Sequence, residues 1–297
     1  MIFKGSIPAV ITPFTKNLEV DFDSLDKHIE FLISEGSHGL VSCGTTGESP
    51  TLSNEEHKRI IEIAVETTAG KGKVIAGTGS NSTKEAITMT QHAQEAGADA
   101  ALLVCPYYNK PSQEGLFQHY KAIASETDLP IMLYSIPGRS VIEISVETQL
   151  RLHEQCPNIR AMKEAGGNVS RVREIRDQLP LEYEVLSGDD ALTMSFMKNG
   201  AVGVVSVASN LIPNQLSALV EHLLNERYDE AEILDEKCKP LFQGLLSLDT
   251  NPIPIKEAMA LCGRSTNELR LPLVGLNNEN KVRLANLINE LNLLDND

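Results

Sequence analysis

The chain has 297 residues, of which 41% are hydrophobic, enough to bury a large core either as two small domains or as one α/β barrel. A formal net charge of −15, unbroken by any long Lys/Arg cluster, disfavours nucleic acid and anionic membrane surfaces as partners and favours a small-molecule role. Five cysteines, Cys43, Cys105, Cys156, Cys238 and Cys262, are scattered without a CxxC pair. The odd count argues against a disulfide framework and for the reducing cytoplasm.

Taken in chain order, β-branched apolar segments predict strands at residues 6–12, 39–45, 73–79, 100–105, 130–135, 159–164, 183–188 and 203–207. Helical spacing falls between them at 23–36, 54–69, 82–97, 115–126, 145–154, 168–178 and 190–199. Ser53 and Ser82, each followed three residues on by Glu56 and Glu85, read as capping boxes. Repeated βα units of about 30 residues build a parallel sheet, and eight of them fit a closed (β/α)₈ TIM barrel better than two doubly wound sheets. The segment 212–225 supplies the eighth helix, so that 1–226 form the catalytic barrel. Residues 227–297 form a helical C-terminal extension, helical over 228–294 with breaks at Pro240, Asn251-Pro252-Ile253-Pro254 and Leu271-Pro272. No flexible linker precedes it, so it is expected to pack on the barrel. The opening Met1-Ile2-Phe3-Lys4-Gly5-Ser6 lacks the apolar core of a signal peptide, and no apolar run approaches the roughly 20 residues of a membrane helix.

In such a barrel the loops after the strands carry the chemistry. Lys163 sits two residues before the end of the apolar stretch Ile159-Arg160-Ala161-Met162-Lys163-Glu164-Ala165 on the sixth strand. An amine buried there has a lowered pKa and suits Schiff-base formation; the plainer alternative is a lysine snorkelling to the edge or pairing with Glu164. The second strand runs into Gly44-Thr45-Thr46-Gly47-Glu48, whose backbone N–H groups and hydroxyls can hold a carboxylate or a phosphate, unless they are ordinary strand-to-helix punctuation. The fourth ends in Pro106-Tyr107-Tyr108-Asn109 and the fifth in Tyr134-Ser135-Ile136-Pro137-Gly138-Arg139. Phenols there suit proton transfer at an amine, with aromatic packing as the alternative. Arg139 offers a fork for a carboxylate, or a solvated salt bridge. Gly188-Asp189-Asp190 invites a metal, but all seven histidines fall within or beside helical segments, and an aspartate there can cap the next helix; no metal is expected. Gly77-Thr78-Gly79-Ser80-Asn81-Ser82 lacks the third glycine of a dinucleotide fingerprint, so no nucleotide or other cofactor is expected.

These segments, with Lys163-Glu164-Ala165, Ser187-Gly188-Asp189-Asp190 and Asn251-Pro252-Ile253-Pro254-Ile255-Lys256, together resemble the dihydrodipicolinate synthase family of pyruvate-dependent class I aldolases over nearly the whole chain. The resemblance implies a lyase of diaminopimelate and lysine biosynthesis that condenses pyruvate, held as a Lys163 Schiff base, with L-aspartate-4-semialdehyde. It assigns Thr45, Tyr108 and Tyr134 to a hydroxyl relay, with Tyr108 reaching across a subunit interface. Thr46 would hold the pyruvate carboxylate and Arg139 that of the semialdehyde, while Gly188, Asp189 and Val205 would line the cleft. Val205 stands where the family more often has isoleucine. The resemblance further implies a homotetramer, a dimer of dimers, inhibited by lysine at Ser49, Pro50, Asn54, His57, Asn81, Glu85 and Tyr107. Pro50 and Asn54 depart from one common pattern, which has alanine and histidine; the plainer alternative for this group is helix surface.

The nearest rival is another class I aldolase using the same Lys163 imine, such as N-acetylneuraminate lyase or a sugar-acid aldolase. Those enzymes resemble the Tyr-x-x-Pro-x-Arg segment less well, and the lyases typically begin the second-strand turn Gly-Ser-Thr. A non-catalytic barrel, the second rival, should have lost part of the Lys163, Thr45, Tyr108, Tyr134 and Arg139 set.

Overall fold

The computed structural model describes residues 2–293; Met1 and residue 294, the ends of two of the segments read above, lie outside them. Eight strands alternate with helices: β1 (Gly5–Pro8), α1 (Phe22–Ser34), β2 (Gly39–Ser42), α2 (Asn54–Thr68), β3 (Lys73–Gly77), α3 (Thr83–Glu95), β4 (Ala100–Val104), α4 (Gln113–Ala124), β5 (Ile131–Ser135) and a single turn, α5 (Pro137–Ser140). There follow α6 (Val146–Gln155), β6 (Ile159–Glu164), α7 (Ser170–Gln178), β7 (Glu184–Ser187), α8 (Thr193–Lys198), β8 (Gly203–Ser206) and α9 (Pro213–Leu224). The strands pair in parallel in the order β1-β8-β7-β6-β5-β4-β3-β2. The ring closes where Ala9 bridges Val41 and the Val10 N–H donates to the Val41 carbonyl at 2.9 Å. This is the predicted (β/α)₈ TIM barrel.

Several strands are shorter than predicted at their C-terminal ends. Residues 43–45 and 78–79 leave the sheet because the chain bends into the mouth, with Cys43 already left-handed at φ 52°. Alternation along the strands sends Ile7, Val41, Ile75, Leu102, Met132, Ala161, Leu186 and Val205 into a dry lumen below that mouth, and their neighbours into the layer under the helices.

The Ser53 capping box forms as predicted: its hydroxyl accepts from the Glu56 N–H at 3.2 Å and the Glu56 carboxylate accepts from the Ser53 N–H at 2.8 Å. The Ser82 box forms by half. Its hydroxyl caps the Glu85 N–H at 3.4 Å, but the Ser82 N–H donates to Ser80 Oγ, and Ser80 donates to the Glu85 carboxylate at 2.5 Å. An extra hydroxyl two residues upstream intercepts the reciprocal bond.

Three further helices, α10 (Tyr228–Ser247), α11 (Ile253–Leu261) and α12 (Asn278–Glu290), pack with α9 around Leu219, Leu241, Phe242, Met259 and Leu284. The predicted break at Pro240 is absent, since α10 runs through it. Pro240 lies on the exposed side of the helix, where the carbonyl that loses its N–H partner faces water, while Cys238, Leu241 and Phe242 hold the helix from its buried side. The other two proline segments fall between helices: Pro252 caps the start of α11, and Leu271–Pro272 lies in the non-helical stretch between α11 and α12; the peptide bonds Asn251–Pro252 and Leu271–Pro272 are cis. Among the described residues no helix is long and apolar enough to cross a membrane.

Candidate active site

Strand β6 points Lys163 into the lumen because a bulge between Ile159 and Ala161 resets the alternation, turning Arg160 to solvent and Ala161 and Lys163 inward. The same register sets Lys163 beside Tyr134 on β5 and Leu186 on β7. Its Nζ stands 4.2 Å above the Tyr134 ring centroid, and the residue is 7% exposed. Burial lowers its pKa to about 7, with the positive charge of Arg139 pulling the same way and the Asp190 carboxylate opposing them. Glu164, the alternative partner read from sequence, points to the opposite face. Its carboxylate accepts from the Gly166 N–H at 2.7 Å and lies 3.6 Å from the Arg171 guanidinium. Lys163 thus sits in the wall of the cleft as an amine without a neighbouring carboxylate to fix its charge.

The cleft is lined by Thr45, Thr46, Ser49, Tyr134, Arg139, Lys163, Gly188, Val207, Leu246 and Asn251. Burial pushes the Tyr134 phenol up to about 12, against the lowering influence of Arg139 and Thr45, so it remains protonated at neutral pH. Gly188 is required by space: a Cβ there would lie 3.0 Å from Lys163 Cε and 2.6 Å from Ala165 Cβ. In the turn after β2 the N–H groups of Gly47, Glu48 and Ser49 donate back to the carbonyls of Gly44, Thr45 and Gly44, so the donors this turn can offer to an anion are the hydroxyls and N–H groups of Thr45 and Thr46, which line the cleft. The left-handed residues of this turn are Cys43 and Glu48 rather than its glycines. Gly47 is needed because a Cβ would meet the Val10 carbonyl at 3.1 Å.

Other residues singled out from the sequence lie elsewhere. Asp189 turns away to cap the following 3-10 turn, accepting from the Ala191 N–H at 2.9 Å. Val205 is 1% exposed within the lumen plug, one layer below the cleft lining. Tyr108 is 88% exposed, with φ 72°, on the loop after β4, and its phenol stands outside the cleft. Of the seven residues grouped for lysine, Ser49 borders the cleft itself, and Asn54 and Glu85 share a second surface pocket between α2 and α3. His57 hydrogen-bonds the Gly77 carbonyl at 2.8 Å, and burial lowers its pKa. Asn81 donates to the Tyr107 carbonyl at 3.1 Å, Tyr107 is 38% exposed, and Pro50 is exposed beside Thr51. They are spread over the loops after β2, β3 and β4 and the first turns of α2 and α3.

Two residues at the site were missed as such. Asp190, read only as a cap, is buried, with Oδ2 accepting from the Val207 and Ala208 N–H groups at 3.0 and 2.9 Å, and burial raises its pKa. Asn251, read as part of a helix break and of the Asn251–Lys256 segment of the resemblance but given no role, donates from Nδ2 to Thr46 Oγ1 at 3.1 Å. The doubled aspartate was a signal for the first, and the Asn251–Lys256 segment for the second. Among the described residues no group of three or more His, Cys, Asp or Glu could hold a metal ion.

The family model "Dihydrodipicolinate synthetase family" matches residues 2–291. The 4-hydroxy-tetrahydrodipicolinate synthase of Aquifex aeolicus is 47% identical over 292 residues, covering 98% of this chain and 99% of its own. The crystal structure of dihydrodipicolinate synthase from Aquifex aeolicus superposes with a TM-score of 0.97 at 46% identity, covering 99% of this chain and 100% of that one. The enzyme from Cyanidioschyzon merolae, solved with lysine bound, has a TM-score of 0.95 at 40% identity and covers 99% of each chain.

Proposed function

The chain belongs to the dihydrodipicolinate synthetase family, and we infer that it carries out the 4-hydroxy-tetrahydrodipicolinate synthase reaction on pyruvate and L-aspartate-4-semialdehyde at the Lys163 cleft. The observation that carries this reading is a buried amine with pKa about 7 whose Nζ stands 4.2 Å above the ring of Tyr134, a phenol that stays protonated, in a cleft also lined by Thr45. At pH 8 that amine is mostly neutral and nucleophilic. Its Nζ attacks C2 of pyruvate to give a carbinolamine. Tyr134, protonated at this pH, delivers the proton on which the C2 oxygen leaves as water, and the iminium remains. Loss of a methyl proton gives the enamine, whose carbon attacks the aldehyde of the semialdehyde. The substrate's own amine then attacks the iminium carbon and closes the ring, and Lys163 is released.

Thr46 is suited to receive the pyruvate carboxylate, and Arg139, at the rim of the same cleft, the semialdehyde carboxylate. Gly188 leaves the lysine chain room to reach the substrate. The relay assigned to Tyr108 needs a phenol from outside this protomer, in keeping with its exposure and left-handed backbone. That favours a dimer as the catalytic unit, and the homotetramer as a dimer of such dimers; a fully active monomer in sedimentation at assay concentration would contradict it. That Cys43, Cys105, Cys156 and Cys238 are free thiols suits a cytoplasmic enzyme. Lysine is the expected inhibitor at the surface formed by Ser49, Asn54, Asn81 and Glu85, where Glu85 offers a carboxylate to its ammonium. Activity that stays flat up to millimolar lysine would remove that idea.

The test of the reaction is intact mass after incubation with pyruvate and borohydride, in the wild type and in Lys163→Ala, followed by turnover of the semialdehyde. An adduct lost in the variant together with semialdehyde consumption supports both halves of the reading. An adduct without turnover points to another class I aldolase, and absence of an adduct removes the imine.

A further inference from the structure

Asn251 lies outside the barrel strands, in the connection from α10 to α11, yet it borders the cleft beside Thr46 and Arg139. Its Nδ2 donates to Thr46 Oγ1 at 3.1 Å, and its backbone carbonyl accepts from Arg139 Nη2 at 2.9 Å. Thr46 is 2% exposed, so few orientations are open to its hydroxyl. The same C-terminal segment grips the turn a second time, two residues on: Lys256 Nζ on α11 donates to Glu48 Oε1 at 2.6 Å. One side chain of this segment therefore touches the group suited to the pyruvate carboxylate, and its main chain holds the guanidinium suited to the second substrate.

A hydroxyl has one hydrogen to donate and two lone pairs. An N–H donated to Thr46 Oγ1 occupies a lone pair and leaves the hydroxyl hydrogen for another acceptor. Had the neighbour been an acceptor, the hydroxyl hydrogen would be drawn to it and the lone pairs would meet the substrate. We propose that Asn251 is a positioning residue for 2-oxo-acid binding, its amide N–H directing the Thr46 hydroxyl hydrogen toward the substrate carboxylate while its carbonyl holds Arg139 at the rim. This inference rests on the assignment of pyruvate to the Lys163 cleft.

The test uses the full chain, with pyruvate as ligand and the initial rate of borohydride-trapped adduct as readout, alongside thermal melting. Asn251→Ala is expected to raise the half-saturating pyruvate concentration about tenfold, the scale of a hydrogen bond to a charged group, with the labelling rate at saturation largely kept. Asn251→Asp should raise it further, since a carboxylate accepts the Thr46 hydrogen and repels the substrate. In a Thr46→Val background, Asn251→Ala should add less than about twofold, because its action runs through the missing hydroxyl. The proposal falls if Asn251→Ala and Thr46→Val are additive, if Asn251→Asp matches the wild type, or if the Asn251 variants melt lower with half-saturation unchanged. Wild-type protein that forms no adduct at all removes the pyruvate assignment and this inference together. An adduct with normal half-saturation in every Asn251 variant removes the inference alone.

Discussion

Among the described residues two lysines are buried, Lys163 at the mouth of the barrel and Lys256 at the seam between barrel and C-terminal helices, and their surroundings differ in one respect. Lys256 on α11 is 0% exposed, donates to Glu48 Oε1 at 2.6 Å and to the Thr12 carbonyl at 2.9 Å, and lies 4.1 Å above the Phe14 ring. Burial holds its pKa below the ordinary lysine value, and the Glu48 carboxylate in contact with it opposes that shift. Lys163, 7% exposed, has the Tyr134 ring against its Nζ and among the described residues no carboxylate in ion-pair contact, and the carboxylate it senses, Asp190, is held by backbone N–H groups of the β8 loop. A buried amine with a partner is structure, and one without a partner becomes a nucleophile near neutral pH.

The largest effect that would break this contrast is on activity. Lys163→Met should abolish the pyruvate adduct and lower turnover by at least about four orders of magnitude, as loss of a covalent nucleophile does. It should leave the melting temperature equal or higher, because an unpaired buried amine stabilises nothing. A melting temperature that falls steeply would mean that Lys163 has a structural partner.

Lys256→Met should act the other way round. It leaves Glu48 buried without its cation and should cost about 3–5 kcal/mol of unfolding free energy by denaturant titration. Lys256→Met combined with Glu48→Gln should recover part of that loss. A single variant as stable as the wild type would show that Glu48 is adequately held by the Arg270 N–H, which it accepts at 3.2 Å.

The smallest effect sharpens the contrast. Adduct formation in the wild type should rise with pH to a plateau with a midpoint near 7, since the reactive form of Lys163 is the neutral amine; below the midpoint the rate should fall about tenfold per pH unit. Arg139→Gln removes a cation that lowers this pKa and should move the midpoint upward at saturating pyruvate. A midpoint near the ordinary lysine value in the wild type would contradict the unpaired environment.

Much of this architecture was readable from local pattern. Eight β-branched segments alternating with helical ones allowed the barrel to be read because period and segment length are properties of a few neighbouring residues. Lys163 stood out for the same reason, as one cation near the end of an apolar strand. Pro240 misled because proline reports a missing N–H but not which side of the helix it occupies. Ser82 misled because Ser80 competes for the same carboxylate at a distance of two residues.

Residue type and periodicity by themselves determined the strands, most helix starts, and the presence of a lysine, two phenols and an arginine on one rim. Which of these meet was decided by the closed barrel and the helices packed against it. Glu48 finds Lys256 and Thr46 finds Asn251 across more than 200 residues of chain, and the charge felt by Lys163 comes from an aspartate on another strand's loop. Such pairings depend on how strands and helices are brought together in space, and a one-dimensional pattern carries no term for that. The same holds for Tyr108, whose side chain leaves its own cleft for the surface.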